Sequence, residues 1–269
     1  MANPDPNIPI SQVEYKKVTE DLYKQNLELA RLYKEVANLI KQRESLVHLV
    51  THKIKGAFTR SKYIFAGILD GTFGEVLPEI KRRALQGLES DDAGIKTVDL
   101  VLNAANLASG KVKYEMKTLD FKDLVLKTLA EKRSVAETKG LVVETSVKDE
   151  IYNISGDVFW LKEAINNLIE NSIRYTKTGK IAVSLDKKND KVLLSIKDTG
   201  MGISEEDKKN LFTEGGRGKD SVKINVDSTG YGLYSVKMIV EAHGGHVSAE
   251  SEGPDKGSTF FIELPAEKF

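Results

Sequence analysis

The stretch LKEAINNLIENSIRYT, residues 161–176, places apolar residues at helical spacing and predicts an amphipathic helix from Asp157 to Tyr175. Asn167 and Asn171 lie four residues apart, so both project from one face of that helix. Asparagine is a poor helix former, and two of them within an apolar pattern indicate a function. A side-chain amide oxygen is a hard, neutral ligand that suits Mg²⁺. A capped or surface Asn pair is the alternative interpretation.

Two glycine-bearing segments follow this helix. DTGMGI, residues 198–203, comes directly after the predicted strand VLLSIKD, and its Asp198 carboxylate would accept a hydrogen bond from an exocyclic amine such as that of adenine. STGYGLYSVKMIVEAHGG, residues 228–245, places two glycines immediately before a predicted helix, where backbone amides bind anions. Each motif alone is weak, because Asp-Thr-Gly is ordinary turn chemistry and the Gly-Lys-Ser/Thr of a P-loop is missing.

The segment FTEGGRGKDSVKINVDS, residues 212–228, is too long for a simple connection and predicts a lid. Arg217, Lys219 and Lys223 would neutralise phosphates there. A disordered insertion is the alternative. The two histidines that flank Gly244 and Gly245, His243 and His246, we interpret as structural.

The rest of the C-terminal part predicts one layer of helices on one sheet. A helix is expected over Phe121–Thr138. Strands are expected at LVVETSV (141–147), KIAVSL (180–185), VLLSIKD (192–198) and GSTFFIELP (257–265). LASGKVKYEMKTLD, residues 107–120, has the composition of a linker and places a domain boundary near 110–118.

The N-terminal part predicts long helices. After a proline-bearing tail, a seam of residues repeats with steps of four and three over more than four heptads, which favours a dimeric coiled coil over a helix packed on its own domain. The seam comprises Val18, Leu22, Gln25, Leu29, Leu32, Val36, Leu39, Arg43, Leu46 and Val50. This helix runs from about residue 13 to 69, DGTFGEVLP at 70–78 makes a turn, and a second helix runs from about Glu79 to Leu107, with GLESDD as the point most open to an irregularity. Together they form an antiparallel hairpin, and two hairpins would form a four-helix bundle.

The composition excludes several classes of protein. The 269 residues include 40 basic and 40 acidic side chains, so no global field points to nucleic acid or an anionic membrane. Cysteine is absent, which excludes disulfides and thiolate metal sites. No apolar run is long enough to cross a bilayer and no signal pattern opens the chain. We therefore expect a cytoplasmic protein, or the cytosolic part of a longer receptor, with no nucleic-acid partner and no membrane span.

As a set, these segments resemble the ATP-binding domain of sensor histidine kinases, which belongs to the gyrase, heat-shock chaperone, histidine kinase and MutL superfamily. The order matches from GDVFWLKEAINNL through Asp-x-Gly-x-Gly, a lid, Gly-x-Gly-Leu and EAHGG to GSTFF, over roughly residues 118–269. The resemblance implies an all-α hairpin, dimeric as a four-helix bundle with an N-terminal coiled coil, followed by an α+β two-layer sandwich of the Bergerat type. The implied domains are 1–44 for the tail and coiled coil, 45–112 for the phosphotransfer hairpin and 113–269 for the ATP-binding domain.

The same resemblance implies roles for single residues. Asn171 corresponds to the Mg²⁺ ligand and Asn167 to a phosphate contact or its support, while Tyr175 would stack on adenine and Asp198 would bind its amino group. Asn167 also stands where the ATP hydrolases of the superfamily carry a glutamate, which favours a phosphotransferase. The other implied nucleotide-binding positions are Arg174, Gly200, Gly202, Ile203, Phe212, Arg217, Thr229, Gly230, Tyr231, Gly232, Leu233 and Thr259.

THKIKGAF, residues 51–58, lies where the family has its phospho-acceptor helix, and His52 fits the acceptor. A neutral imidazole nitrogen is a competent nucleophile near pH 7. The flanking residues depart from the family pattern: Lys53 replaces the acidic base, Gly56 replaces a residue associated with phosphatase activity, and Ala57 replaces a proline. His48 is the alternative acceptor, one turn earlier.

The implied function is a histidine autokinase that uses Mg-ATP to phosphorylate His52 and passes the phosphoryl group to an aspartate of a response regulator receiver domain. The implied partners are a second copy of the chain and an N-terminal sensor domain or sensor protein. Two alternatives stay open. A degenerate kinase would act as a nucleotide-binding scaffold or allosteric dimer partner, and an ATPase of the same superfamily would act as a chaperone-like clamp.

Overall fold

The computed structural model describes residues 12–110, 112–188, 190–216 and 230–267. Two long helices are followed by alternating strands and helices, which is the predicted fold class. The elements in chain order are α1 (Gln12–Leu69), α2 (Pro78–Ala108), β1 (Lys117–Asp120), α3 (Phe121–Thr138), β2 (Leu141–Val147), β3 (Asn153–Gly156), α4 (Val158–Tyr175), β4 (Gly179–Lys188), β5 (Lys191–Asp198), α5 (Glu205–Lys208), α6 (Gly232–Ala242), β6 (His246–Glu250) and β7 (Ser258–Pro265).

The chain divides into two compact units, residues 1–56 and 57–269. In the first unit the described residues form a single helical segment, whose seam side chains such as Leu22, Leu29 and Val36 are exposed. The predicted helix from about 13 to 69 is confirmed, and its pairing into a coiled coil stays a prediction. In the described part of the chain, no helix combines the length and apolar character needed to span a bilayer.

The second unit begins with the end of α1, which packs antiparallel on α2. The aromatic rings of Phe58 and Phe65 lie against Gly94 and Gly87, where an added Cβ would approach the ring atoms to 2.6 and 2.5 Å. Helix α2 is continuous through 87–92, so no irregularity forms at GLESDD. The glycine at the start of that stretch leaves room for the Phe65 ring of the facing helix.

The C-terminal part of the second unit is a sheet covered by helices on one face. Its five strands have the order β2-β4-β5-β7-β6, in which β2 and β4 are parallel and the other neighbours antiparallel. Buried residues alternate along the three central strands, as in a sheet with one covered face. The buried apolar positions of these three strands are Ile181, Val183, Leu185, Val192, Leu194, Ile196, Phe260, Ile262 and Leu264. Helices α3, α4 and α6 provide the other side of this core.

Sequence analysis missed three strands and the short helix α5. Strand β1 lies at the end of the segment interpreted as a linker and pairs antiparallel with β3, while β6 forms an edge of the main sheet. β1 and β3 have four residues each. Strands this short leave no alternating pattern to detect, and long-range pairing is what makes them strands.

Helix α4 has well-defined ends. The Asp157 side chain accepts hydrogen bonds from the backbone N–H groups of Phe159 and Trp160, which caps the first turn. At the other end, Lys139 Nζ donates to the carbonyl oxygens of Ile173 and Arg174 at 2.5 and 3.0 Å. A cation on the last carbonyls satisfies groups that lack helical partners and opposes the helix dipole.

Helices α4 and α6 are antiparallel neighbours. His243, the residue that caps the C-terminal end of α6, is buried, and its Nε2 accepts a hydrogen bond from the backbone N–H of Asp157 at 2.9 Å. At the opposite end of α6, Gly232 lies against the middle of α4, where an added Cβ would be 3.1 Å from Asn167 Oδ1. Both ends of α6 are therefore placed relative to α4.

The first prediction concerns Gly257 at the start of β7. Its φ is +72°, and an added Cβ would collide with the carbonyl oxygen of Asp198. Gly257→Ala should lower the free energy of unfolding by about 2–4 kcal/mol, through backbone strain and overpacking. The control is Gly140→Ala, at φ +81° with open space around it, which should cost about 1–2 kcal/mol. Urea unfolding curves would measure both, and equal losses would contradict the proposed collision.

The second prediction concerns pH. Burial lowers the pKa of His243 below its ordinary value of 6.5, against weaker opposing effects of the bond to Ile239 and the charge of Asp157. Because the folded state holds the ring neutral, stability is full above pH 6.5 and falls as the pH drops toward the lowered pKa. Unfolding free energies measured from pH 8 to pH 5 should show this decline. In His243→Gln the decline should be smaller, and an identical pH profile would show that another group causes it.

Candidate functional site

Three segments predicted to carry chemistry meet at one end of the sheet. The loop that follows β5 lies against the end of α4, because the N–H of Met201 donates to the carbonyl of Tyr175 at 3.2 Å. The N-terminal end of α6 lies against the middle of α4 through Gly232 and Asn167. The Asn-bearing helix is therefore the common neighbour of both glycine segments.

The asparagines are half-buried on the face of α4 that meets α6. Asn167 Nδ2 donates to the carbonyl of Glu163 at 3.0 Å, which leaves its Oδ1 directed toward Gly232. Glu170, the carboxylate between the two asparagines, lies on another side of the helix, where it forms an ion pair with Lys132 at 2.6 Å. Glu170 is thus not placed to act as a general base for this site.

Asp198 is buried at the end of the central strand β5, with 3% of its surface exposed. Its Oδ1 accepts from the backbone N–H of Gly200 at 2.8 Å, and its Oδ2 accepts from the Ser258 hydroxyl at 2.6 Å. Burial raises the pKa of the Asp198 carboxyl above 3.8, while these hydrogen bonds lower it. Both oxygens are oriented, and a ligand N–H that reached them would meet a poorly hydrated carboxylate.

Ser258 was missed by sequence analysis, which selected its neighbour Thr259. The two residues point to opposite faces of β7, and Ser258 is the one that is buried and bonded to Asp198. The register of β5 and β7, in which Asp198 pairs with Ser258, decides this. Alternation along GSTFFIELP would have predicted that Ser258 is buried, because Ser258 and the buried Phe260 are two residues apart and lie on the same face of the strand.

The glycines at 200 and 202 are required by close contacts. A Cβ on Gly200 would lie 2.5 Å from the carbonyl oxygen of Tyr175 and 2.9 Å from the hydroxyl of Thr176. Gly202 has φ +69°, and a Cβ there would collide with the carbonyl of Gly253. The Thr176 hydroxyl is buried and has no hydrogen-bond partner within the described ranges. A buried hydroxyl left over beside Asp198 is a group that a bound polar ligand would satisfy.

A second loop, residues 251–257, is hydrogen-bonded to the glycine loop, residues 199–203. The Ser251 hydroxyl accepts from the N–H of Ile203 at 3.0 Å and donates to the carbonyl of Gly257 at 2.7 Å. The N–H of Gly257 donates to the carbonyl of Gly200 at 3.0 Å. The sequence patterns did not predict a role for Ser251, because its contact with the glycine loop is made through Ile203, 48 residues away.

A cavity of about 380 Å³ opens beside these loops. Its walls include Tyr175, Gly200 and Gly202 from the predicted set, together with Lys177 and Asp255. Pockets for small ligands have volumes of roughly 300–1,000 Å³. The cavity therefore has the size of a small-molecule site, and the glycine loop that follows Asp198 forms part of its wall.

A glycine-bearing turn leads into the N-terminal end of α6. Gly230 has φ +73°, and no side chain among the described residues caps the first turn of the helix. Amides at an uncapped helix N-terminus, with glycine at the first position, allow an anion to approach closely. Tyr231 is the half-buried residue that precedes this turn.

The remaining predicted residues are placed less centrally. Phe212 and Leu233 pack against the hydrophobic core, whereas the Arg174 side chain is exposed at the end of α4. Arg217 and Thr229 lie outside the described residues. His52 belongs to the other compact unit, where it is exposed on α1.

The donor set suits a Mg²⁺ ion that arrives with phosphates rather than one held by the protein alone. Asn171 presents a half-buried amide. Among the described residues, no group of three or more His, Asp or Glu side chains is arranged to hold a metal. Mg²⁺ usually retains several waters and takes one or two protein oxygens together with substrate phosphates, and an amide on this face fits that role.

Comparison with known proteins agrees with this geometry. Residues 156–268 match the model of the family described as histidine kinase-, DNA gyrase B-, and HSP90-like ATPase. The chain is 28% identical over 250 residues to the sensor histidine kinase GacS of Pseudomonas protegens, covering 89% of this chain and 26% of that protein. It is 29% identical over 230 residues to the sensor protein SrrB of Staphylococcus aureus, covering 85% and 39% respectively.

A solved structure shows the same fold. ShkA, crystallised at full length in complex with AMPPNP, aligns with a TM-score of 0.70 at 20% identity, over 84% of this chain and 46% of that one. The chain spans well under half the length of the curated relatives that it matches. Residues 156–268 therefore match the histidine kinase-, DNA gyrase B- and HSP90-like ATPase family, and most of the chain is similar in sequence to part of a sensor histidine kinase and to part of a sensor protein.

Proposed function

We propose that this chain binds Mg-ATP and transfers the γ-phosphoryl group to its own His52, from which the group passes to an aspartate of a response regulator. The observation that carries the proposal is the convergence of three groups on α4: the Asp198 carboxylate, the two asparagines, and the uncapped N-terminal end of α6. The carboxylate would accept a hydrogen bond from the adenine base, the asparagines would contact the metal and the phosphates, and the helix end would bind the phosphate anion.

The base would lie beside Asp198. Adenine presents an exocyclic N–H donor where guanine presents a carbonyl, so an ionised carboxylate with no proton to donate selects adenine. The hydroxyl of Thr176 and the carboxylate lie near the same side of Gly200, where an added Cβ would be 2.9 and 2.8 Å from them. Tyr175, half-buried at the cavity wall, would provide an aromatic surface for the ring.

The phosphates would lie between α4 and the start of α6. The backbone amides of the first turn of α6 would attract the phosphates, and the helix dipole would add to that attraction. Asn167 and Asn171 would contact the phosphates and the Mg²⁺ ion from the opposite side. When bound, the Mg²⁺ ion would neutralise charge that develops on the phosphoryl oxygens during transfer.

The transfer step is a substitution at phosphorus. The unprotonated imidazole nitrogen of His52 forms the P–N bond while the bond between the γ-phosphorus and the bridging oxygen breaks, which releases ADP. The other ring nitrogen then loses its proton to solvent or a nearby base. His52 is exposed on α1 and so is accessible to a nucleotide domain. Lys53 occupies the position where the resemblance implies an acidic base, so proton removal would be slow.

Dimerisation would cover the apolar seam of α1. Residues such as Leu32, Val36 and Leu39 expose half or more of their surface in the single chain, and a second copy in the same register would bury them. We assign residues 1–44 to the tail and this coiled coil, 45–112 to a phosphotransfer hairpin and 113–269 to the ATP-binding domain. A sensor domain or sensor protein would act through the coiled coil.

The second candidate function is a nucleotide-binding scaffold without kinase activity. It is favoured by Lys53 and Gly56, which replace residues that the family pattern ties to proton removal and phosphatase activity. Such a chain would still bind Mg-ATP, because His52 is not among the residues proposed to hold the nucleotide.

The third prediction tests the acceptor. Incubation with γ-labelled ATP and Mg²⁺ should give protein-bound label that is acid-labile and base-stable. His52→Gln should lose it, because the nucleophile is removed, and Asn171→Ala should reduce it about tenfold or more through weaker charge stabilisation. Denaturing gels after acid or base treatment provide the measurement.

His48→Gln is the matched control, because His48 is exposed on the same helix one turn earlier, and it should keep the label. Label lost in His48→Gln and kept in His52→Gln would reassign the acceptor. Absent label despite nucleotide binding would support the scaffold, and steady ATP turnover without label would support an ATPase.

The fourth prediction separates binding from stability at Asp198. Asp198→Asn should weaken Mg-ATP binding about tenfold or more, because the amide offers a donor where the adenine amine needs an acceptor. The same change should leave the melting temperature at pH 7 unchanged or higher. The raised pKa means that the ionised form is the disfavoured one in the fold, so a neutral side chain removes a cost. Calorimetric titration and thermal unfolding would test both, and normal affinity in the variant would remove Asp198 from the base pocket.

A further inference from the structure

We propose that His243 is a positioning residue that sets the register between α4 and α6 and thereby holds the anion-binding end of α6 against Asn167. His243 touches no part of the candidate site. It lies at the far end of α6, where it joins the start of α4. The inference rests on the proposed Mg-ATP site and concerns what keeps that site in place.

The ring of His243 has a defined orientation and a defined proton. Its Nε2 accepts from the backbone N–H of Asp157 at 2.9 Å, so the ring proton is on Nδ1, which donates to the carbonyl of Ile239 at 2.7 Å. The side chain is 5% exposed. The C-terminal end of α6 is thus bonded to the first residue before α4 through a buried side chain whose two ring nitrogens are both hydrogen-bonded.

The two contacts between the helices lie at matching distances along them. From His243 back to Gly232 the chain rises about 16 Å, and from Asp157 to Asn167 it rises about 15 Å. In an antiparallel pair, fixing His243 on Asp157 therefore places Gly232 opposite Asn167, as observed. A slip at the histidine end would move the phosphate-binding amides by the same amount, because a helix transmits displacement along its axis.

Asp157 also connects this pair to the segment that leaves α2. Its carboxylate caps α4 through one oxygen, and the other oxygen accepts from the backbone N–H of Glu115 at 2.8 Å. The preceding Tyr114 ring packs edge-on against His243 and Trp160, with centroid distances of 5.3 and 6.2 Å. The exit of the helical hairpin therefore contacts the residue pair that sets the α4–α6 register.

Two amide substitutions separate the hydrogen bonds of His243. Gln can place its side-chain oxygen where Nε2 lies and so can still accept from Asp157, whereas Asn is too short to reach Asp157 and retains only the bond to Ile239. Both variants remain polar, and both keep the helical bond from the residue 243 backbone N–H to the Ile239 carbonyl. The pair thus tests the α4–α6 connection itself.

The experiment measures binding of a non-hydrolysable ATP analogue with Mg²⁺ to the full chain, by calorimetry well below the lowest melting temperature. His243→Asn should raise the dissociation constant about tenfold, and His243→Gln should stay within about threefold of the parent. His246→Asn is the control, because His246 is exposed at the start of β6, and it should have no effect. Equal affinities for the parent and His243→Asn would overturn the proposal.

A double-mutant cycle with Asn167→Ala provides the readout that general destabilisation would not change. Sites this far apart usually have independent effects. If His243 acts by placing Gly232 against Asn167, the loss caused by Asn167→Ala should be clearly smaller in the His243→Asn background than in the parent. If the two substitutions raise the dissociation constant by independent factors, so that the double variant shows their product, His243 has only a structural role. A folded parent that does not bind the analogue would instead contradict the proposed function, and the inference would fail with it.

Discussion

The buried carboxylate of Asp198 is the constraint on which the C-terminal domain depends. A carboxylate at 3% exposure is expensive unless its oxygens are bonded, and here one bond comes from a serine on the neighbouring strand and one from a loop amide. The serine is available only if β5 pairs with β7 in the observed register. The amide is available only if the loop after β5 folds back sharply. Satisfying one group thus specifies a strand pairing and a loop conformation together.

The glycines follow from the same constraint. Once the loop folds back onto Asp198, its backbone lies against the carbonyls of Tyr175 and Gly253, and no side chain fits at 200 or 202. The same closeness ties the loop to the end of α4 through the bond between Met201 and Tyr175. The helix that carries the asparagines is therefore placed by the loop that carries the carboxylate. The proposed nucleotide site lies at the edge of this packing, where the hydrogen-bonded loop and helix end leave a cavity.

Residues whose roles depend on local pattern were predictable, and residues whose roles depend on distant partners were not. The spacing of residues on one helix or in one turn identifies the Asn pair, Asp198 and the glycines. Ser258 acts through a partner 60 residues away and His243 through one 86 residues away, so each looks locally like an ordinary polar residue. The long helices and central strands were predictable from their periodicity, whereas β1 and β3 are too short to show one.

The two parts of the chain gain stability in different ways. The sheet and its helices bury a continuous core that includes residues from Leu107 to Leu264. The first 56 residues contribute an isolated helical segment with an exposed apolar seam. Packing, rather than intrinsic propensity, supplies most of the stability of helices in proteins, and a seam this long is a surface for another helix. The groups of the proposed nucleotide site therefore all lie within the second unit, while the proposed association involves the helix that carries His52. Under the proposed function, an input that alters association would act on the proposed acceptor and not on the groups that hold the nucleotide.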